Sequence, residues 1–216
     1  ILSKEYFKLA KSRLRENGLM MQWLHYYRLS PREVESIVKT FNSVFPYVTV
    51  FGSVAPPGDL YIIGSAQDIT LDNSQLISEL AEPTIKKDLA RIRSDRPESF
   101  LAHFFFDETK LNDYLGSAAV VLSDAKPILE FRAPHTLYQS AVHNQNLYNL
   151  DSFLESPSEL VTNGEISLIN QTIDWRTKLI KFYILFIEGR QEEADLKLEE
   201  ITKIDPLIYE CPDSSL

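Results

Sequence analysis

Residues 18–27, Gly-Leu-Met-Met-Gln-Trp-Leu-His-Tyr-Tyr, constrain this chain more than any other stretch, because of what flanks them. Upstream, residues 4–16 place Tyr6, Phe7, Leu9, Ala10 and Leu14 on one loose apolar face, which predicts a helix. Asn17-Gly18 supplies its stop, since glycine readily takes the left-handed conformation that ends helices. Residues 19–24 then carry five apolar side chains and one Gln, too few for a helix and right for a strand covered on both faces. Ser30, Pro31 and Glu33 follow as N-cap, first helical residue and capping-box acid of a second helix. Helix, buried strand, helix is the middle of a doubly wound α/β sheet, so residues 19–24 are expected to form a central strand parallel to its upstream neighbours. Ligands in such sheets bind at the carboxyl ends of strands. Gln22, Trp23, His25 and Tyr26 lie at or near that end and are the first candidates for chemistry.

Further along, residues 30–45 place Val34, Ile37, Val38, Phe41, Val44 and Phe45 on one helical face, and Pro46 ends the helix. Residues 47–51 alternate around Val48 and Val50 and predict a strand. Pro56-Pro57-Gly58-Asp59 turns the chain into a strand over residues 60–64, paired with its predecessor as an antiparallel hairpin. From Asp68 the pattern is helical: residues 72–81, residues 84–92, a segment from Pro97 through Phe106, and one capped by Asp107. Residues 118–133 are irregular, broken at Lys126-Pro127, with residues 128–131 expected to lie extended on the sheet. Residues 138–150 predict a helix. Residues 166–188 predict a long one, Gly189-Arg190 a turn, and residues 191–204 a last helix closed by Asp205-Pro206. The expected organisation is a sheet region over residues 1–66, a helical and irregular covering region over residues 67–160, and a helical hairpin with tail over residues 161–216. Short helices do not stand alone in water, so residues 68–150 are expected to fold over the carboxyl ends of the strands and to carry Asp124 towards Gln22.

Tyr6-Phe7-x-Leu9-x-x-x-Arg13-Leu14-x-x-x-Gly18-x-x-x-Gln22-Trp23-Leu24 resembles the second half of the spermidine synthase (polyamine aminopropyltransferase) fold, and most of all the branch fused to a membrane domain. The likeness continues through Leu29-Ser30-Pro31, Thr40-Phe41, Val44-Phe45-Pro46 and Gly58-Asp59-Leu60. Leu122-Ser123-Asp124-Ala125-Lys126-Pro127-Ile128-Leu129-Glu130-Phe131 is similar to an Asn-Thr-Asp-Asp-x-Pro-x-Leu-Glu-Phe segment of that branch. The resemblance implies the last three strands of a Rossmann-like, S-adenosylmethionine-dependent transferase sheet. It implies transfer of an aminopropyl group from decarboxylated S-adenosylmethionine to an amine. The cofactor's Gly-rich loop, its ribose-binding acid and the key acids of the reaction would lie in an upstream half of the same polypeptide, with a membrane domain before it. No cofactor-binding residue is then expected in this chain, which opens inside a helix at Ile1 and reads as a fragment without activity of its own. Gln22 matches a family Gln facing the active site, which makes it and Asp124 the catalytic candidates, and Gln22, Trp23 and Tyr26 the substrate-binding ones. Leu24 stands where the family has an acid, and Ala55-Pro56-Pro57-Gly58 where it has Tyr-Pro-Ser-Gly. Residues 189–206, Gly-Arg-x-x-Glu-Ala-x-x-x-Leu-x-x-Ile-x-x-Ile-Asp-Pro, resemble one tetratricopeptide helix pair. A single pair cannot bury its own face, so it packs on a neighbouring region or binds a peptide.

Each candidate has a structural alternative. Trp23, Tyr26 and Tyr27 line a ligand cleft or fill the core. Asp124 reaches the site or caps a helix. Glu130, if buried, needs Arg132 or Arg176 as an ion partner. His25, His103, His135 and His143 have no metal-ligand spacing, and no Gly-x-Ser-x-Gly elbow occurs. A net charge of −9 argues against nucleic acid as a partner. The lone Cys211 excludes a disulfide framework and fits a cytosolic chain, tethered to the membrane only through an upstream domain. The oligomeric state stays open, a homo-oligomer included. The competing function is a non-catalytic interaction module built on the sheet and the helical hairpin.

Overall fold

The computed structural model describes residues 2–54, 56–139 and 141–204, so Cys211 and the closing Asp205-Pro206 lie outside the described residues. In chain order the elements are α1 (Lys4–Lys11), β1 (Met20–His25), α2 (Pro31–Asn42), β2 (Tyr47–Gly52), β3 (Asp59–Ser65) and β4 (Leu71–Asp72). Then come α3 (Asn73–Ala81), α4 (Pro83–Ala90), α5 (Pro97–Leu101), β5 (Phe104–Asp107), α6 (Glu108–Tyr114), α7 (Ile128–Thr136) and α8 (Ala141–Asp151). The last are β6 (Val161–Thr162), α9 (Ile166–Ile187) and α10 (Gln191–Ile204). They form two compact units. The first holds residues up to Ser53 with Pro57–Ile69 and Phe104–Glu155, and the second holds Val54–Pro56, Thr70–His103 and the chain from Ser156 onwards. The expected stretch of residues 68–150 is therefore divided: its second half builds the sheet unit, and residues 70–103 join the C-terminal helices.

The first unit is a mixed α/β structure around a four-stranded sheet of order β1-β3-β2-β5, antiparallel at every pairing. The hairpin of β2 and β3 is as the alternation predicts. Since β1 and β2 both run antiparallel to β3, they are parallel to each other, with α2 as their connection. α2 starts where the capping signals place it: the Ser30 N–H donates to the Glu33 carboxylate at 2.7 Å. Its apolar side, Val34, Ile37, Val38 and Phe41, is fully buried. Phe41 packs edge-on against Phe7 of α1 at 4.9 Å and stacks on Phe45 at 4.6 Å. These rings press on the sheet at Gly64, where a Cβ would stand 2.4 Å from the Phe41 ring. Leu24, Val48, Val50, Leu60 and Ile62 complete this core.

Four sequence expectations are corrected here. β1 is an edge strand of the described sheet and not a central one. Its burial alternates, and Met21 and Trp23 are 60% and 50% exposed. The apolar run was legible, but only the α2 side of it has a cover. α1 stops at Lys11, and the Ser12 hydroxyl caps the Leu9 carbonyl, a turn before Gly18. The helix expected through Phe106 ends at Leu101. Phe104 to Phe106 are instead a strand, where three consecutive aromatic residues suit a pleated surface, bulged opposite Val50 and Phe51. Residues 128–131 are helical in α7 and not extended, and Glu130 is exposed, so it needs no ion partner.

In the second unit, β4 and β6 pair in parallel, and Leu76, Leu80, Leu101 and Val161 form a core. α9 and α10 make the helical hairpin read from the sequence, turned at Gly189, whose φ of +74° a side chain would strain. Leu179, Ile180, Ile184, Ala194 and Ile201 are buried in this unit. Among the described residues no helix is long and apolar enough to cross a membrane.

Candidate functional site

The sequence directs attention to the carboxyl end of β1, and that end splits its side chains between two environments. Alternation along the strand sets Leu24 and Tyr26 on the buried side, where they are 3% and 0% exposed. Trp23, His25 and Tyr27 stand on the opposite side as an aromatic row, with ring centroids 5.6 Å apart from Trp23 to His25 and 5.0 Å from His25 to Tyr27. The Trp23 indole N–H donates to the Asp59 carboxylate at 3.2 Å across the strand pair. Gly58, just before Asp59, lets the Tyr27 ring approach closely: a Cβ there would stand 3.3 Å from it. The Arg28 guanidinium lies 5.9 Å from the centre of the Tyr27 ring. A row of three π faces beside a carboxylate is a surface for a cationic group.

The strand is open along its outer edge. The Tyr26 N–H donates to the Gly58 carbonyl at 2.8 Å, so by antiparallel alternation Met20, Gln22 and Leu24 also turn their backbone groups to β3. Met21, Trp23 and His25 then present theirs outward. The Gln22 side chain serves this edge, its amide donating to the Trp23 carbonyl at 2.7 Å.

Tyr26 is a core residue, not a wall of a cleft. Burial pushes its phenol well above the usual range, with the charge of Asp59 adding to the effect. Its hydroxyl is enclosed with no hydrogen-bond partner among the described residues. Tyr114 of α6 is raised in the same way, first by burial and then by Glu35 and Tyr26. Burial also raises the Glu35 carboxyl above its usual value, against the Gly116 N–H that donates to it at 3.1 Å.

Asp124 lies elsewhere. A strap over residues 116–122, which begins in a turn where the Ala119 N–H donates to the Gly116 carbonyl, is bound to α2 by side chains: Val120 and Leu122 donate their N–H groups to the hydroxyls of Ser36 and Thr40, at 3.1 and 2.8 Å. Arg32 and Lys39 donate to the carbonyls of Ala118 and Ala119. The strap ends at α1, where the Asp124 N–H donates to the Glu5 carboxylate at 3.1 Å and the Asp124 residue is exposed. Asp124 is thus fixed on the helical layer, and Gln22 on the sheet edge. The residues that sequence reading did not single out are Asp59, legible only as a carboxylate opening the strand after Gly58, and Asn146, for which no local signal exists. Among the described residues no group of three or more His, Cys, Asp or Glu is placed to hold a metal ion.

No family model, no curated protein and no solved structure matches the chain.

Proposed function

We propose that this chain is the distal part of a spermidine-synthase-like transferase, carrying the last strands of its sheet and one rim of the amine site, with the cofactor-binding half supplied from outside the chain. The observation that carries the reading is the element order in the residues that bear the resemblance. Strand, helix, parallel strand and antiparallel return strand follow one another, and the first strand keeps an open edge. That edge, with Met21 and Trp23 exposed, suits attachment of a further strand from the cofactor-bearing half. The row of Trp23, His25 and Tyr27 with Asp59 suits an alkylammonium substrate. Titration calorimetry with decarboxylated S-adenosylmethionine tests it. The chain alone should not bind, and the chain joined to the upstream polypeptide should bind and transfer an aminopropyl group. Micromolar binding to the chain alone, or a joined protein that binds no S-adenosyl compound, would overturn the reading.

A non-catalytic interaction module is the second reading. It is favoured by Leu24, which is buried in the core at the position where the resembling family has an acid.

A further inference from the structure

The connection from β1 to α2 is held from outside. Three of the four carbonyls over residues 26–29 accept hydrogen bonds from side chains more than a hundred residues later. The Asn146 amide of α8, 1% exposed, donates to the carbonyls of Tyr26 at 2.8 Å and Leu29 at 2.6 Å. The Thr136 hydroxyl at the end of α7 donates to the Arg28 carbonyl at 2.9 Å. One turn before Asn146, the His143 ring lies parallel to the Tyr26 ring, 5.6 Å away with 9° between the planes. Its Nδ1 is enclosed, and neither it nor the Tyr26 hydroxyl has a hydrogen-bond partner among the described residues.

We propose that α7 and α8 form a clamp on the loop between β1 and α2, and that protonation of His143 releases it. The clamp is built on a neutral imidazole. A second proton would leave a charged ring partly enclosed, with an N–H at the enclosed Nδ1 that faces no acceptor among the described residues. The acids of α2 and β3 are engaged elsewhere. Glu33 of α2 accepts the Ser30 N–H. Glu35 accepts the Gly116 N–H, and Asp59 of β3 accepts the Trp23 indole. Tyr26 and Tyr114 stay neutral, since burial raises both phenols. Burial lowers the His143 value below its ordinary 6.5. With the folded value below the unfolded one, the released state takes up the proton first. The clamp is therefore tight above the ordinary value and loosens as pH falls through it towards the lowered one. Release frees Tyr27, the last ring of the aromatic row, and Arg28 beside it.

Hydrogen exchange of the intact chain, followed by mass spectrometry and corrected for the intrinsic pH dependence, tests the proposal. Protection of residues 26–29 should fall between about pH 7.5 and pH 5, by at most roughly tenfold per pH unit because one proton is taken up. Peptides of α9 in the other unit should not change. His143→Phe keeps a stacking ring and removes the charge, so its loop should show no such fall. Asn146→Ala should expose the loop at both pH values. If His143→Phe does not fold, the His143 ring resonances of the unaltered chain, followed by NMR, should titrate with the same midpoint as the loss of protection. A loop whose protection is the same at both pH values, a fall that survives His143→Phe, or two different midpoints would each overturn the proposal.

Discussion

At Gly64 the reason for the residue is steric. A methyl group there would meet the rings of Phe41 and Phe45 at 2.4 and 2.6 Å, and both rings are fully buried with neighbours on every side. Gly64→Ala should therefore destabilise the first unit by roughly 1–3 kcal/mol, the usual cost of overpacking, measured by urea unfolding. Thr40 acts through its hydroxyl, which accepts the Leu122 N–H and donates to the Ser36 carbonyl at 2.6 Å, all of it buried. Thr40→Val fills the same space and leaves that N–H without an acceptor, for an expected loss of about 1–3 kcal/mol. Glu35 predicts the opposite sign. Its folded value is raised by burial, so its contribution is full at low pH and fades as pH rises through the raised value. Glu35→Gln keeps an acceptor for the Gly116 N–H and removes the charge. It should raise thermal stability near neutral pH by less than ~1 kcal/mol, because the carboxylate is partly solvated, with no gain at about pH 4. A gain that persists in acid would show that packing, and not charge, is responsible.

At the scale of elements, local signals were legible and long-range ones were not. The caps of α2 and α6 and the α9–α10 turn stand where Ser30, Asp107 and Gly189 announce them, because a cap is decided within four residues. β1 was legible as a strand and misplaced as a central one, since an apolar run does not say which face a partner covers. The Phe104 strand was lost to helical periodicity, and its pairing with β2, more than fifty residues away, leaves no local trace. The Asn146 bond to the Tyr26 carbonyl spans 120 residues and is invisible for the same reason. The edge of β1 carries no Lys, Glu or Pro of the kind that guards exposed strands. Met21→Lys should accordingly reduce concentration-dependent association of the isolated chain, read by light scattering, with unfolding free energy changed by about 0.5 kcal/mol or less at this exposed position.

The whole molecule poses the question of what each unit needs. Every element of the sheet unit lies before Ser156: β1, β2 and β3 with α1 and α2, then β5, α6, the strap, α7 and α8. The second unit is different, for its segment Thr70–His103 supplies only β4 and the short helices α3, α4 and α5, of nine, eight and five residues. Isolated helices shorter than about 12–15 residues are marginal in water, so these three depend on a packed partner. That partner is the later segment: β6 pairs with β4, Val161 enters the core of Leu76, Leu80 and Leu101, and α5 packs on α9. A chain ending at Glu155 should therefore keep the sheet unit and lose the other. In hydrogen exchange, β2 and β3 should stay protected, while residues 73–101 exchange at close to the rate of an unfolded chain. Loss of protection in β2 and β3 as well would mean that the sheet unit draws its stability from residues beyond 155, and the division into two self-sufficient cores would fail with it.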